Sequence, residues 1–206
     1  MIGIEINKKQ LEILHKAVQK AGKHFPRELA AAVNTVTKQT RTDIGKRIRG
    51  VMKIKKATVE KHIRITGVAA ATNPVGKITL DYNDRAGLQE FGARQTKAGV
   101  TYQISPQGGR RTVVGAFMGP KPGVLAPRLY GGVWKRQGEA RKMTKGRHQG
   151  RVRQPIVKLY GLSPYGAWMK NDFTVTEVAF IQDKLTHEIN RRINVNILRA
   201  NGLVKH

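Results

Sequence analysis

Cysteine is absent from this 206-residue chain, and several other residues that carry chemistry are scarce. Without cysteine the chain has no disulfide, no cysteine-ligated zinc and no thiol catalysis. Serine occurs only at Ser105 and Ser163, neither of them in a nucleophile elbow, and no phosphate-binding glycine loop is present. The six histidines lack metal-ligand spacing. The sequence therefore predicts neither an enzyme nor a cofactor.

Acidic residues are also scarce, with 13 Asp and Glu against 39 Lys and Arg and a formal net charge of +26. The closest pair at a predicted strand end, Asp81 and Asp84, lies beside Asn83 and Gly87, which is more typical of a turn than of a catalytic or metal site. A nuclease would need clustered carboxylates to hold metal ions, so that class is disfavoured. The charge instead predicts a polyanion or an acidic protein as partner.

Long apolar segments are missing as well. No apolar run approaches the roughly 20 residues that a helix needs to cross a bilayer. The first ten residues, MIGIEINKKQ, lack the basic-then-apolar layout of a signal peptide. We therefore expect a soluble protein without membrane contact, and the length and the 39% apolar content favour a single domain over residues 1–206.

Helical periodicity is clearest in the N-terminal quarter of the chain. Residues 1–6 alternate loosely like a strand, and a first helix is predicted to begin at Asn7 and to end at Gly22. Apolar residues then recur at three- and four-residue steps, and Pro26 suits the first turn of a helix. This pattern predicts a long helix over residues 26–50, with its apolar stripe facing the core.

A second apolar stripe, from Val178 to Ile197, predicts a closing helix over residues 175–199. Thr174 followed three residues later by Glu177 matches a capping box at the start of this helix.

Strand patterns occupy residues 64–137 and 155–161. Two antiparallel pairs are predicted, together with two later strands. These segments are RITGVAAAT (64–72) with VGKITLDYN (75–83), GVTYQIS (99–105) with RTVVGAFMG (111–119), VWKRQ (133–137) and PIVKLYG (155–161). The predicted fold class is therefore α+β, an antiparallel sheet flanked by long N-terminal and C-terminal helices.

The most basic part of the chain is a predicted loop over residues 138–154, which has no apolar period. Between Phe91 and Asn171 the chain has 16 Lys and Arg but one acidic residue, so this region carries an excess of 15 positive charges out of 26. Eight cations of this region are predicted to contact DNA or an acidic partner. They are Lys135, Arg136, Arg141, Lys142, Lys145, Arg147, Arg151 and Arg153.

The chemistry of the predicted basic loop leaves its partner open. Contacts to phosphates would give salt-dependent binding without sequence choice, because no stacking signature, helix-turn-helix or zinc finger accompanies the charge. An acidic protein surface would satisfy the same cations, and a loop that is merely solvated is the third alternative.

Three phrases resemble the minor tail protein Z family of tailed phages. RQPIVKLYGLSPYGAW (153–168) is similar to a Pro-Ile, Leu-Tyr-Gly signature near the family's C-terminus, although the chain has Leu-Ser-Pro where Gly-Pro-Ser is commoner. GAFMG (115–119) and the helical phrase KIKKATVEKHI (53–63) resemble segments that occur earlier in the family.

This resemblance implies a structural virion protein, non-catalytic, that completes the head-proximal end of a tail and supports head–tail joining. It implies a homo-oligomeric ring, with a hexamer favoured, located in the virion neck and in the host cytoplasm during assembly. The implied partners are the tail terminator, the tail tube, the head-joining protein and genome DNA in the channel. The rival interpretation is a free nucleic-acid-binding protein associated with ribosomes or the nucleoid.

Overall fold

The computed structural model describes residues 25–120 and 129–200, and the predicted strand over residues 1–6 and helix from Asn7 lie outside this range. Four helices are described: α1 (Phe25–Val51), α2 (Lys56–His62), α3 (Pro164–Lys170) and α4 (Phe173–Ala200). A 3-10 turn spans Leu88–Phe91. The described strands are β1 (Ile63–Gly67), β2 (Lys77–Leu80), β3 (Arg94–Gln95), β4 (Gly99–Tyr102), β5 (Arg111–Val114), β6 (Ala116–Met118), β7 (Val133–Arg136), β8 (Arg141–Lys142), β9 (Val152–Arg153) and β10 (Ile156–Lys158).

The fold is α+β, as predicted, with small antiparallel sheets and two long helices. Strands pair as β1–β2, as β3–β4–β5, as β6–β7–β10 and as β8–β9, and every pairing is antiparallel. The chain divides into two compact units. In the described residues, the helical unit takes 25–47, 60–81 and 168–200, and the strand unit takes 48–59, 82–120 and 129–167. Folding as one domain stays a prediction.

Helix α1 confirms the long helix predicted over residues 26–50. Val36, Ile44 and Ile48 from its apolar stripe are buried, since a stripe at this spacing keeps one face of the helix out of water. The amide of Asn34 also ties α1 to the chain after β1, because it donates to the carbonyl of Ala69 at 2.9 Å and accepts from the N–H of that residue at 2.8 Å.

Helix α4 confirms the predicted closing helix but begins two residues earlier, at Phe173. The predicted capping box is wrong, because Thr174 lies inside the helix and accepts a hydrogen bond from the Trp168 indole at 3.1 Å. Glu177 is instead fully buried, and its carboxylate accepts from Arg47 of α1 at 2.9 Å. The acidic side chain therefore faces a neighbouring helix instead of its own first turn.

The strand over RTVVGAFMG is divided. Gly115 has φ +72°, a conformation that favours glycine, and the chain turns there between β5 and β6. As a result β5 pairs with β4 whereas β6 pairs with β7, so one predicted strand belongs to two sheets.

The remaining strand predictions are confirmed in outline. The two predicted pairs form, as β1 with β2 and β4 with β5. The two later strands also form, as β7 and β10, and their pairing with each other was not predicted. The core of the strand unit contains Phe91, Val100 and Val133, which are fully buried.

None of the helices within the described ranges is long and apolar enough to cross a membrane.

Helix α3 was not predicted from the sequence. Ser163 precedes it and accepts a hydrogen bond from the N–H of Gly166 at 3.0 Å, and Pro164 occupies the first helical position. A serine cap followed by proline is a standard helix start, so a signal was present in the phrase LSPYGAW.

Candidate functional site

The candidate site is formed by residues 138–154, which we call the basic ribbon, together with β7. The segment predicted as an exposed basic loop is exposed, and its ends pair as β8 and β9. Beyond these strands, the N–H of Met143 donates to the carbonyl of Arg151 at 3.0 Å, and the N–H of Gly150 donates to the carbonyl of Met143 at 2.9 Å. The basic ribbon is therefore a hairpin with a long turn.

The sheet β6–β7–β10 anchors the basic ribbon at both ends. β7 leads into the ribbon and β10 follows it, and these two strands pair directly, with Lys135 opposite Val157. At the junction the N–H of Gln137 donates to the carbonyl of Pro155 at 2.9 Å, and the side-chain amide of Gln154 donates to the carbonyl of Gly138 at 2.8 Å. The ribbon thus extends from a paired base.

All eight predicted contact cations are exposed. Within the described part of the chain, none of them forms an ion pair with a carboxylate. Arg141 and Arg153 are direct cross-strand partners on β8 and β9. Like charges placed directly opposite each other destabilise a strand pair, so an anion at this position would relieve the repulsion.

The strands distribute the eight cations over two faces. Consecutive residues of a strand point to opposite sides, which separates Lys135 from Arg136 on β7 and Arg141 from Lys142 on β8. Three of the arginines line one common groove, and the other five cations do not. The three groove arginines are Arg136, Arg141 and Arg153.

The sequence did not reveal the groove itself, which has a volume of about 600 Å³ and which we call the ribbon groove. The apolar residues that line it, which we call its floor, come from separate parts of the strand unit, so no continuous sequence pattern marks the groove. The apolar lining residues are Phe117, Leu129, Met143, Val152, Pro155 and Ile156. The guanidinium of Arg136 lies 5.9 Å from the centre of the Phe117 ring, in cation–π geometry.

Carboxylates with perturbed pKa values belong to the helical unit and to its ion pairs. Burial and the neighbouring carboxylate of Asp43 raise the pKa of Glu177 to about 7, against the opposing effect of Arg47. Hydrogen bonds from Arg191 and Arg192 lower the pKa of Glu188. Glu177 is 0% exposed, so it cannot contact a substrate as a catalytic acid in this structure.

Within residues 25–120 and 129–200, no group of three or more His, Asp or Glu side chains is placed to hold a metal ion. The cations of the basic ribbon and the ribbon groove have no acidic partner among the described residues, so they can offer charge-assisted hydrogen bonds to phosphates or carboxylates.

Comparison with protein-family models, curated proteins and solved structures finds no match to this chain. The resemblance to the minor tail protein Z family therefore stays a prediction that depends on the quoted phrases.

Proposed function

We propose that this chain is a non-catalytic structural protein of a tailed phage, which completes the head-proximal end of the tail as a subunit of a homo-oligomeric ring. The observation that carries the proposal is the exposed basic ribbon, whose cations have no acidic partner among the described residues. Such a surface is suited to a partner that supplies the negative charge. In a ring, copies of the ribbon would line or adjoin the channel for genome DNA, or would contact acidic neighbours in the neck.

Contact with DNA would be electrostatic and independent of sequence. Each phosphate neutralised by a lysine or arginine releases counterions, so the affinity should fall steeply with salt concentration. The ribbon also fits the physical demands of a ring subunit, because a hairpin that extends from a paired base can reach a neighbour without disturbing its own sheet. Ring closure requires head-to-tail contacts between different patches of successive subunits.

A second function, that of a free nucleic-acid-binding protein, is favoured by the same exposed cations. The two functions differ in what the isolated chain does. A free nucleic-acid-binding protein should bind DNA or RNA with submicromolar affinity as a monomer or dimer. A tail protein should bind nucleic acid weakly alone and should associate with tail or neck proteins.

The experiment compares two variants that lose the same charge. The test variant replaces four cations of the basic ribbon that do not line the ribbon groove with glutamine, and the control variant replaces four exposed lysines of the helical unit. The test positions are Lys142, Lys145, Arg147 and Arg151. The control positions are Lys38, Lys46, Lys61 and Lys77.

Each variant is supplied to a phage that lacks its own copy of this gene, and head–tail joining and infectious yield are measured. We expect the ribbon variant to fold normally but to lower the yield of joined particles, and the control variant to support normal yield. Normal joining with the ribbon variant, or the absence of the chain from purified particles, would refute the tail function. Submicromolar DNA binding by the isolated monomer, with a salt dependence that weakens in the ribbon variant alone, would favour the second function.

A further inference from the structure

The ribbon groove combines features that a solvated basic surface does not require. Its apolar residues are only partly covered, since Phe117, Met143 and Ile156 are half-buried and keep part of their surface in water. Exposed apolar area of this kind costs free energy in water and is recovered when a ligand covers it. The volume of about 600 Å³ is within the range of sites that bind small ligands or a few residues of a peptide.

Charge at the rim restricts what the ligand can be. Arg136, Arg141 and Arg153 line the ribbon groove, and Arg141 directly faces Arg153 across the ribbon. Three guanidinium groups beside an apolar floor call for a ligand that presents carboxylates or phosphates around an apolar centre. A purely polar polyanion would leave the floor exposed, whereas a purely apolar ligand would leave the arginines in mutual repulsion.

The aromatic group of the floor argues against a nucleic acid as the occupant. Bases bind single-strand sites largely by stacking on aromatic faces. In the ribbon groove, Phe117 already has the Arg136 guanidinium over its ring at 5.9 Å. The other apolar lining residues are aliphatic or thioether side chains, which pack against leucine-like groups better than they stack against bases.

We propose that the ribbon groove binds an extended segment of a partner protein in which acidic side chains flank apolar ones. The apolar side chains cover Met143 and Ile156, and the carboxylates pair with Arg141 and Arg153. The proposal deepens the proposed function and rests on it for the place of the partner in the tail. The binding itself is a property of the strand unit and can be measured without a phage.

The probe is a fluorescein-labelled peptide, Asp-Asp-Leu-Leu-Leu-Asp-Asp, whose binding to the full chain is followed by fluorescence anisotropy. Two control peptides carry Asn in place of Asp, or Ser in place of Leu. A twelve-nucleotide oligothymidine is the nucleic-acid control. We expect the acidic leucine peptide to bind at least about tenfold more tightly than either control peptide, because each control removes one of the two complementary features.

Matched variants separate the ribbon groove from general attraction to a basic protein. Met143→Gln should weaken peptide binding about tenfold by removing apolar contact, whereas Met118→Gln, at a half-buried methionine of the strand unit outside the lining, should leave it unchanged. Both methionines are only half-buried, so neither substitution should prevent folding.

A second pair of variants tests the rim. The double variant Arg141→Gln with Arg153→Gln should weaken peptide binding by at least about tenfold. The control double variant, Lys145→Gln with Arg147→Gln, loses the same charge outside the lining and should weaken peptide binding by less than about threefold. Equal effects within either pair would overturn the proposal. Oligothymidine binding that is tighter than peptide binding and is lost in Met143→Gln would overturn it as well. Self-association that the peptide competes away would identify a second copy as the occupant instead.

The two proposals fail in different ways. Peptide binding that follows these expectations while the ribbon variant joins heads normally would refute the tail function alone. Defective joining in the ribbon variant without peptide binding would refute the groove ligand alone.

Discussion

Replacement of Glu177 by glutamine tests the most unusual electrostatic arrangement in the helical unit. The carboxylates of Glu177 and Asp43 share the Nε–H of Arg47, at 2.9 Å and 2.6 Å. Two acids therefore compete for one cation, and Glu177 is the one that is 0% exposed. Burial and the charge on Asp43 favour the protonated form, so the pKa of Glu177 is raised from 4.5 to about 7.

The sign of the effect on stability follows from this raised pKa. The native state holds the proton more tightly than the unfolded chain, so Glu177 contributes its stabilisation below pH 4.5 and loses it as pH rises towards 7. A tenfold difference in proton affinity corresponds to about 1.4 kcal/mol. The wild-type chain should therefore lose on the order of 3 kcal/mol of unfolding free energy over this range through Glu177.

Glu177→Gln removes this titration while it keeps the shape of the side chain and a donor for Asp43. Urea unfolding of both proteins between pH 4 and pH 8 gives the difference in unfolding free energy. Between pH 4.5 and pH 7.5, we expect the unfolding free energy of the variant, relative to that of the wild type, to increase by about 3 kcal/mol. Parallel pH profiles of the two proteins would refute the reasoning.

Glu188→Gln is the control with the opposite sign. Hydrogen bonds from Arg191 and Arg192 lower the pKa of Glu188, so its stabilisation is present at neutral pH and is lost as pH falls below the ordinary range of a glutamate. The Glu188→Gln variant should therefore be less stable than the wild type at pH 7, and the difference should shrink in acid.

Two further pairs of substitutions test packing and capping by urea unfolding. Gly161→Ala should lower the unfolding free energy by roughly 1–3 kcal/mol, because a Cβ there would overlap the buried ring of Phe91. Gly50→Ala, which has open space around it in α1, should raise the unfolding free energy by roughly 0.5–1 kcal/mol. Equal effects of the two substitutions would contradict the packing. Ser163→Ala should cost about 1 kcal/mol by removing the cap of α3, and Ser163→Asp should retain most of the stability; a neutral Ser163→Ala would show that the cap contributes nothing.

The long helices could be predicted because their burial repeats with the helical period. Ile44 and Ile48 of α1, and Ile181 and Ile189 of α4, are all buried on predicted stripes. Local signals fail where a distant element decides the outcome. Thr174 and Glu177 have the spacing of a capping box, but the arginine at position 47 binds the carboxylate instead.

The candidate site was predictable in its charge and not in its shape. All eight cations could be taken from the sequence because an excess of Lys and Arg needs no knowledge of folding. The ribbon groove depends on strand pairing that the sequence does not specify. The β6–β7–β10 sheet and the hairpin bring together Phe117 on β6, Met143 in the ribbon and Ile156 on β10. The division of one predicted strand at Gly115 is what places β6 in that sheet.

Within the described part of the chain, the short ladder between β8 and β9 makes the ribbon a good target for trypsin. Only two residues on each strand are paired there, and exposed Lys and Arg side chains mark many cleavage points. A single cut in the turn leaves β7 and β10 paired on either side of it, so the nicked protein should stay associated until it is denatured. Slower nicking after a partner is added would then map where that partner docks.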